Sequence, residues 1–468
     1  MVYSDTNVTR AIERIGGSLK AKSDAFERRN SYGPTSPTIG ERGAQTRQQI
    51  VESALGCFAK IGFHTTSVDD IATAADVSRA TLYQYFESKQ AIFIELMDEA
   101  GDALMRVTRR LGAIGPTPEG FDNLHWWLGE WNWVFERYAT LFVEWANVAS
   151  PKAPLRPRVT SYVDRHAEQF GESLAAAGYP VRDQHTAAIV VLGLLNRYHY
   201  INHVYRPGLT NTQLVDNIAT ALQLFLFPDT PHEFLRAGPQ SALGRQHRVA
   251  PSPSPDAMGP LAHLAARTDI EPLTGRFDLS DQAHQTMRNL LDAGSAVFAD
   301  SGFDGASIDA IVKKAGVARG TYYRYFTDKL DLLRYLAHDC ALAMTPPFQQ
   351  LGVAASTNDP AALRAWLNGF IVLQERYAGV LRSWTEGYPN DPQTLSACRD
   401  TVIGIGAAVR SLFGQSRAYA LDRRAAGLML SALLEHVPNE GRGSKYEPTV
   451  PAIIEMQATF IERVIVAT

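Results

Sequence analysis

The chain repeats itself, and that repeat limits its fold more than any other feature. Phe58-Ala-Lys-Ile-Gly-Phe63 returns as Phe298-Ala-Asp-Ser-Gly-Phe303, displaced by 240 residues. Gapless extension from Phe58 to Phe93 keeps 15 identities in 36 positions. They include Ser67/Ser307, Asp69/Asp309, Ile71/Ile311, Val77/Val317, Arg79/Arg319, Thr81/Thr321, Tyr83/Tyr323, Tyr85/Tyr325, Phe86/Phe326 and Lys89/Lys329. Further on, Glu136-Arg-Tyr-Ala139 returns as Glu375-Arg-Tyr-Ala378, displaced by 239. Around it runs the apolar stripe Trp127, Trp131, Val134, Tyr138, Leu141, Trp145, matched by Trp366, Phe370, Leu373, Tyr377, Val380, Trp384. The spacing of each stripe predicts one face of a long helix. The repeated unit is therefore a module of roughly 190 residues, present twice.

Between the modules, Pro228 to Pro272 holds eight of the chain's 25 prolines and a single aromatic residue, Phe234. That composition builds no core and reads as a linker, whose flexible span is about 35–40 Å r.m.s.. Helix formers dominate elsewhere and alternating strand patterns are missing, so the expected fold class is all-α. The expected organisation is an extension over 1–40, domains over 41–96 and 97–227, a linker over 228–280, and domains over 281–336 and 337–468. With 45% hydrophobic and 20% charged residues, the composition is that of a globular chain. Cys57, Cys340 and Cys398 are far apart, which suggests a reducing compartment and no zinc or redox site. The first residues include Asp5, Arg10, Glu13 and Arg14 rather than an apolar leader. The longest apolar run, Ala187 to Leu195, is too short to span a bilayer. A soluble, cytoplasmic protein with no membrane partner is expected. The net charge of −4 gives no global pull toward nucleic acid, so such a signal has to be local.

The local signal lies in the repeated segment. Thr46 to Lys60 is apolar at helical spacing, and Gly62 suits a left-handed C-terminal cap. Ser67-Val-Asp-Asp70 carries an N-cap with an acid three residues on, which starts a second short helix ending near Ala75-Asp76-Val77. Ser78 caps a third, Arg79 to Phe86. Two short helices joined by a tight turn make a helix-turn-helix, whose second helix enters the DNA major groove. Leu82 and Phe86 anchor that helix, leaving polar residues on its other faces. Arg reaches guanine edges, Gln reads adenine, and Thr and Tyr hydroxyls suit phosphates. Lys89, where the next helix begins, suits a phosphate clamp. Residues 78–89 carry a net +1 and residues 318–329 a net +2, in a chain that is net negative.

Ser67-Val-Asp-Asp-Ile-Ala…Val77-Ser-Arg-Ala-Thr-Leu-Tyr-Gln-Tyr-Phe-Glu-Ser-Lys89 resembles the DNA-binding domain of the TetR family of bacterial transcriptional regulators. Ser307-Ile-Asp-Ala-Ile…Val317-Ala-Arg-Gly-Thr-Tyr-Tyr-Arg-Tyr-Phe-Thr-Asp-Lys329 resembles it equally. The resemblance covers about 50 residues of each half. It implies a helical ligand-binding domain, a dimerisation surface, and DNA binding that a small molecule relieves. The family works as homodimers of single-module chains, and this chain departs by fusing two. The candidate DNA contacts are Thr66, Ser67, Ser78, Arg79, Thr81, Tyr83, Gln84, Tyr85 and Lys89 in copy one. In copy two they are Ser307, Arg319, Gly320, Thr321, Tyr323, Arg324, Tyr325 and Lys329. Gly320 stands where copy one has Ala80, Arg324 where it has Gln84, and Ala318 where it has the capping Ser78. The operator is therefore expected to have unequal half-sites. The modules are expected to pair within the chain as a pseudo-dimer, and a homo-oligomer of chains is the open alternative.

The candidate effector pocket comprises Trp126, Trp127, Trp131, Trp133, Tyr138, Trp145, Asn196 and His199, with Trp366, Tyr377 and Trp384 in copy two. Core packing is the alternative for the stripe, and Trp126 and Trp133, off the stripe, are the ones placed to face a cavity. His199 and His203 are four apart, a spacing that suits a metal, yet no third ligand is evident. Polar pocket lining or plain packing stand beside that reading, and no metal or cofactor is expected. Arg28, Arg29, Arg42 and Arg47 are either a DNA-binding arm or a solvated charge run. No nucleotide loop, metal cluster or nucleophile motif points to an enzyme. The expected function is a DNA-binding regulator, a repressor, modulated by a small hydrophobic ligand. The alternative is a ligand-independent architectural or scaffold protein.

Overall fold

The computed structural model describes residues 41–63, 65–143, 156–180, 182–205, 208–237, 280–356, 359–385, 421–435 and 441–466. Every regular element among them is helical. In copy one the order is α1 (Glu41–Ile61), α2 (Val68–Ala74), α3 (Arg79–Tyr85), α4 (Lys89–Arg109), α5 (Pro118–Arg137), α6 (Ala139–Val143), α7 (Arg156–Ala176), α8 (Gln184–Tyr205), α9 (Asn211–Leu226) and α10 (His232–Ala237). In copy two it is α11 (Asp281–Gly305), α12 (Ile308–Ala315), α13 (Arg319–Tyr323), α14 (Lys329–Ser356), α15 (Pro360–Arg376), α16 (Ala378–Thr385), α17 (Arg423–Glu435) and α18 (Val450–Phe460), closed by a π-helical turn, Ile461–Val466. The extension over 1–40, most of the linker, and Trp145 lie outside the described residues.

Both copies use the same starts and stops. Ser67 forms a full capping box with Asp70, and Ser307 accepts from the backbone of Ala310. Thr117 and Asp359 cap α5 and α15, each followed by Pro at the first helical position, where a missing N–H costs nothing. Gly62 ends α1 at φ 82°, and its counterpart Gly302 breaks α11 at φ 70°. The turn before the third helix needs a left-handed residue: Gly316 supplies it at φ 68° and Asp76 at φ 52°.

The predicted long helix through the aromatic stripe is broken in both copies. Tyr138 leaves α5 as its C-cap, and Tyr377 leaves α15 the same way. At Tyr138 no Pro or Gly follows closely, and at Tyr377 the nearest is Gly379, which lies inside α16 and serves its packing on α11. The chain turns there to lay α6 and α16 on the body. Burial explains the turn: Tyr138, Leu141, Tyr377 and Val380 are all buried at it.

Helix α8 sits at the centre. Ala187 to Leu192, Leu194 and Leu195 are each at most 1% exposed, which one neighbouring helix cannot achieve. Helix α7 covers one side of α8, and α17 of copy two covers another. Helix α9 also meets α17 and the π-helical turn, and α8 meets α18. The segment over 441–449 straps onto α7 and the start of α8: Tyr446 stacks on His185 of α8 with centroids 4.1 Å apart, and its hydroxyl donates to Glu168 of α7 at 3.2 Å.

In copy two α11, the first helix of the DNA-binding head, lies directly on α16. Gly379 permits this, because a Cβ there would stand 2.1 Å from the Ser295 carbonyl oxygen and 2.8 Å from Phe298 Cβ. Gly379→Ala is expected to push α11 and α16 apart and to destabilise copy two by about 1–3 kcal/mol. Chemical denaturation followed by circular dichroism checks this, and an unchanged midpoint would contradict the contact.

Candidate nucleic-acid interface and effector cavity

The third helices, α3 and α13, are short and exposed, and only a few residues hold each down. Leu82 and Phe86 are buried under α3; Tyr322 and Phe326 are buried under α13. The larger Tyr322 also donates its hydroxyl to the Asp328 carbonyl at 2.9 Å. Arg47 ties the end of α3 to the rest of the head. It donates to the Tyr85 carbonyl at 2.9 Å, pairs with Glu95, and lies 4.2 Å over the Phe86 ring. Arg47 is thus a structural cation and not part of an arm.

Both heads present the same outward constellation. Arg79 pairs with Asp69 at 2.9 Å, reaches the Tyr83 hydroxyl at 3.5 Å and lies 5.6 Å over its ring. Arg319 pairs with Asp309 at 2.8 Å, reaches Tyr323 at 3.4 Å and lies 5.9 Å over its ring. Both guanidinium pKa values are raised, chiefly by those tyrosine hydrogen bonds. Tyr83 and Tyr323 are 44% and 48% exposed, so the arginine is held on the surface and not consumed by the core. A planar fork held ready in this way suits bidentate contact to guanine or phosphate. Asp69 and Asp309 were visible as repeat identities, but their role as orienting groups needs the geometry.

The remaining predicted contacts divide. Ser67, Ser78, Gln84, Ser307, Gly320 and Arg324 are exposed, with Thr81 and Thr321 half-buried. Ser78 accepts from the Thr81 backbone at 3.0 Å and lies 2.8 Å from its hydroxyl. A Cβ on Gly320 would meet nothing within 4 Å, so internal packing does not require the glycine. Thr66 is buried, donating to the Gly62 carbonyl at 2.7 Å. Tyr85 is half-buried and Tyr325 buried, so neither stands on the open face with Tyr83 and Tyr323. Lys89 folds back on the turn: its ammonium donates to the carbonyls of Phe63 and Thr66, both at 2.7 Å, over the Phe63 ring. Lys329 does the same to Phe303 at 2.6 Å and Ala306 at 3.1 Å. The two lysines tether the turn before the second helix.

The aromatic stripe is mostly core. Trp127 is buried, stacks on Phe170 at 4.9 Å and donates to the Thr108 hydroxyl at 3.3 Å. Trp131 stacks on His199 at 5.2 Å and on Phe142 at 6.3 Å. Trp126 is half-buried under Arg110, while Trp133 is 47% exposed and faces solvent instead of a cavity. Asn196 and Tyr138 are buried. In copy two Trp366 donates to the Pro347 carbonyl at 2.8 Å, and Tyr377 donates to the Asp339 carboxylate. Trp384 lies on α16.

Copy one also has a cleft between α4 and α7, lined by Met97, Gly101, Leu104, Phe142, Val159 and Tyr162. Ion pairs Arg158–Asp98 and Arg165–Asp102 stand at its mouth. Phe142 joins it to the Trp131–Phe135–His199 stack, with Phe135 at 4.8 Å. Sequence reading missed the cleft because its wall comes from helices far apart in the chain. Trp131 Nε1 and both ring nitrogens of His199 are buried with no hydrogen-bond partner among the described residues. Burial alone pushes the His199 pKa down to about 3. No group of three or more His, Cys, Asp or Glu side chains that could hold a metal occurs among the described residues.

The family model described as "Bacterial regulatory proteins, tetR family" matches residues 50–96 and 290–336, the two helix-turn-helix segments. Both segments belong to the TetR family. The TetR-family match is tandem, as the repeat required. The chain is also similar to curated bacterial relatives. The probable acrEF/envCD operon repressor of Escherichia coli K12 is 42% identical over 52 residues, 11% of this chain and 24% of the relative. The HTH-type transcriptional repressor Rv1474c of Mycobacterium tuberculosis is 32% identical over 87 residues, 17% of this chain and 46% of the relative. The chain thus spans between about a quarter and a half of the length of these relatives. Among solved structures, the TetR family transcriptional regulator PfmR from Thermus thermophilus is 26% identical over 38% of this chain and 96% of that one, with a TM-score of 0.30. No helix among the described residues is long and apolar enough to cross a membrane.

Two outcomes follow from the site. Ala318 makes no side-chain cap and α13 has five residues against seven in α3. Ala318→Ser is expected to add about 0.5–2 kcal/mol to copy two, read by denaturation midpoints. His199 takes a proton near pH 6.5 when unfolded but only near pH 3 in the fold, so it removes stability as pH falls through that window. His199→Phe is expected to lose less stability than the parent between pH 6.5 and 4. Parallel pH curves for the two proteins would contradict the assignment.

Proposed function

We propose that the chain is a sequence-specific transcriptional regulator, acting as a repressor, with two DNA-reading heads on one polypeptide. The observation that carries this reading is the Asp–Arg–Tyr constellation, built twice on exposed third helices: Asp69, Arg79, Tyr83 and Asp309, Arg319, Tyr323. The modules pair within the chain as a pseudo-dimer through α8, α9, α17 and α18. Packing of α8 against α17 supports this, and so does the hydrogen bond from the Arg463 guanidinium to the Phe225 carbonyl at 2.7 Å. Such a pair reads successive major grooves about 34–36 Å apart on double-stranded DNA. The half-sites are unequal, because Gln84 faces one and Arg324 the other.

Regulation is by a small hydrophobic effector in copy one. Its cleft adjoins buried polar atoms without partners, and such atoms carry a standing cost that a ligand's hydrogen bonds remove. In copy two the Trp366 indole and Tyr377 hydroxyl are satisfied from within. Binding shifts the spacing of the heads only as far as the effector's affinities for the two states differ.

Selection of bound duplexes from a random pool by the intact chain tests the reading. The expected product is a site with two unequal halves about one helical turn apart. Arg79→Ala and Arg319→Ala are expected each to relax one half. A perfect palindrome would contradict the unequal heads. No enriched site, with binding that vanishes as salt rises, would favour an architectural protein.

A further inference from the structure

The two modules touch where one residue of copy one meets its own counterpart in copy two. Along α8 and α17, Ala187-Ala188 matches Ala425-Ala426, Leu192 matches Leu430 and Leu195 matches Leu433, all displaced by 238. In that register the counterpart of Arg197 is Glu435. The two also bond each other: Arg197 donates from Nε and Nη2 to one Glu435 carboxylate oxygen, at 3.0 and 2.6 Å. The pair is largely enclosed, with side chains 11% and 25% exposed, and the guanidinium lies 4.5 Å over the Tyr200 ring. A residue that touches its own counterpart across a two-fold interface lies on the axis. Two copies of module one joined by this face would therefore set Arg197 against Arg197. Two copies of module two would set Glu435 against Glu435.

We infer that Arg197 and Glu435 select the pairing of unlike modules, so that the α8–α9 face takes the α17–α18 face and rejects a second copy of itself. This rests on the proposed pairing of the modules within the chain. Enclosed ion pairs add little net stability over apolar packing of the same volume. Opposite charges at an axis position do something an apolar pair cannot: they make every like pairing a clash of equal charges away from water. Elsewhere across the seam Lys445 pairs with Glu168, Ser444 donates to Asp164, and the Asp422 N–H donates to Asn217 Oδ1 at 2.7 Å; none of these joins a residue to its own counterpart, so none sets like charges together at the axis.

The test uses the intact chain with Arg197→Glu, Glu435→Arg and the double reversal, followed by sedimentation velocity and circular dichroism. Wild type is expected to sediment as one compact chain. Each single variant should lose compactness, since both modules then carry one sign at the axis. An equimolar mixture of the two single variants should form a two-chain complex at least ten-fold more abundant than in either alone. The double reversal should return to the wild-type sedimentation coefficient. If a single variant fails to fold, the double reversal still decides: recovery supports the inference and no recovery overturns it. Single variants that sediment like wild type, with no two-chain species on mixing, overturn the inference alone. A two-chain wild type cross-linked between identical peptides would instead overturn the pairing beneath it.

Discussion

Helix α8 sets the architecture because it is apolar on every side. A helix with a single buried stripe is content at the edge of a bundle, with its polar face in water. Ala187 to Leu195 offers no such face, and all its apolar side chains are withdrawn from solvent. Each exposed Leu, Ile or Val there would forgo about 1.5–3 kcal/mol of burial. Helices of copy one cover part of the surface, and α17 with α18 covers more of it. A single module of this sequence would leave an apolar flank exposed. The second module is thus a structural requirement of the first, and fusing the two guarantees its supply at high effective concentration.

The heads illustrate how one local geometry is kept by different residues. The left-handed turn position is Asp76 in one copy and Gly316 in the other. The anchoring residue is Leu82 or the larger Tyr322, which brings its own hydrogen bond. The lysine tether is the same in both, with one ammonium donating to two carbonyls of the turn. Lys89 loses solvation there, which lowers its pKa, yet the carbonyls return much of that loss. What differs is concentrated on the outer face and at the cap, where packing imposes least.

Repeat, helix starts and caps were legible in the sequence because each is local or self-referential. Ser67, Ser78 and Gly62 behave as their residue types dictate. The breaks at Tyr138 and Tyr377 were not legible, since tertiary burial and not a stop residue makes them. Lys89 suits a phosphate clamp by its place beside a recognition helix, but its carbonyl partners lie over 20 residues back in the chain, where local sequence does not show them. Tyr83 and Tyr85 look alike on a helical wheel of seven residues, and only packing separates the exposed from the half-buried. Trp133 was legible as lying off the stripe, but not as facing water.

The asymmetry between the modules bears on how one chain can be switched. In a homodimer both regulatory domains carry equal sites, and a half-loaded state is an intermediate. Here Trp131 and His199 leave polar atoms unsatisfied in copy one, whereas the stripe position matching Trp131 is Phe370 in copy two, which has no polar atom to satisfy. In the proposed regulation one loaded site has to move both heads, and the α8–α17 seam is the packed contact that joins the two modules. In copy two the Gly379 contact couples α16 to the first helix of its head, so displacement of the body reaches α13 through packed backbone and not through a loop. Coupling of this kind is reciprocal: whatever the effector does to the operator affinity, operator DNA does to effector affinity by the same factor. Under the proposed regulation, a single site on this frame gives a non-cooperative effector response, read as a hyperbolic titration of operator release with both heads leaving together.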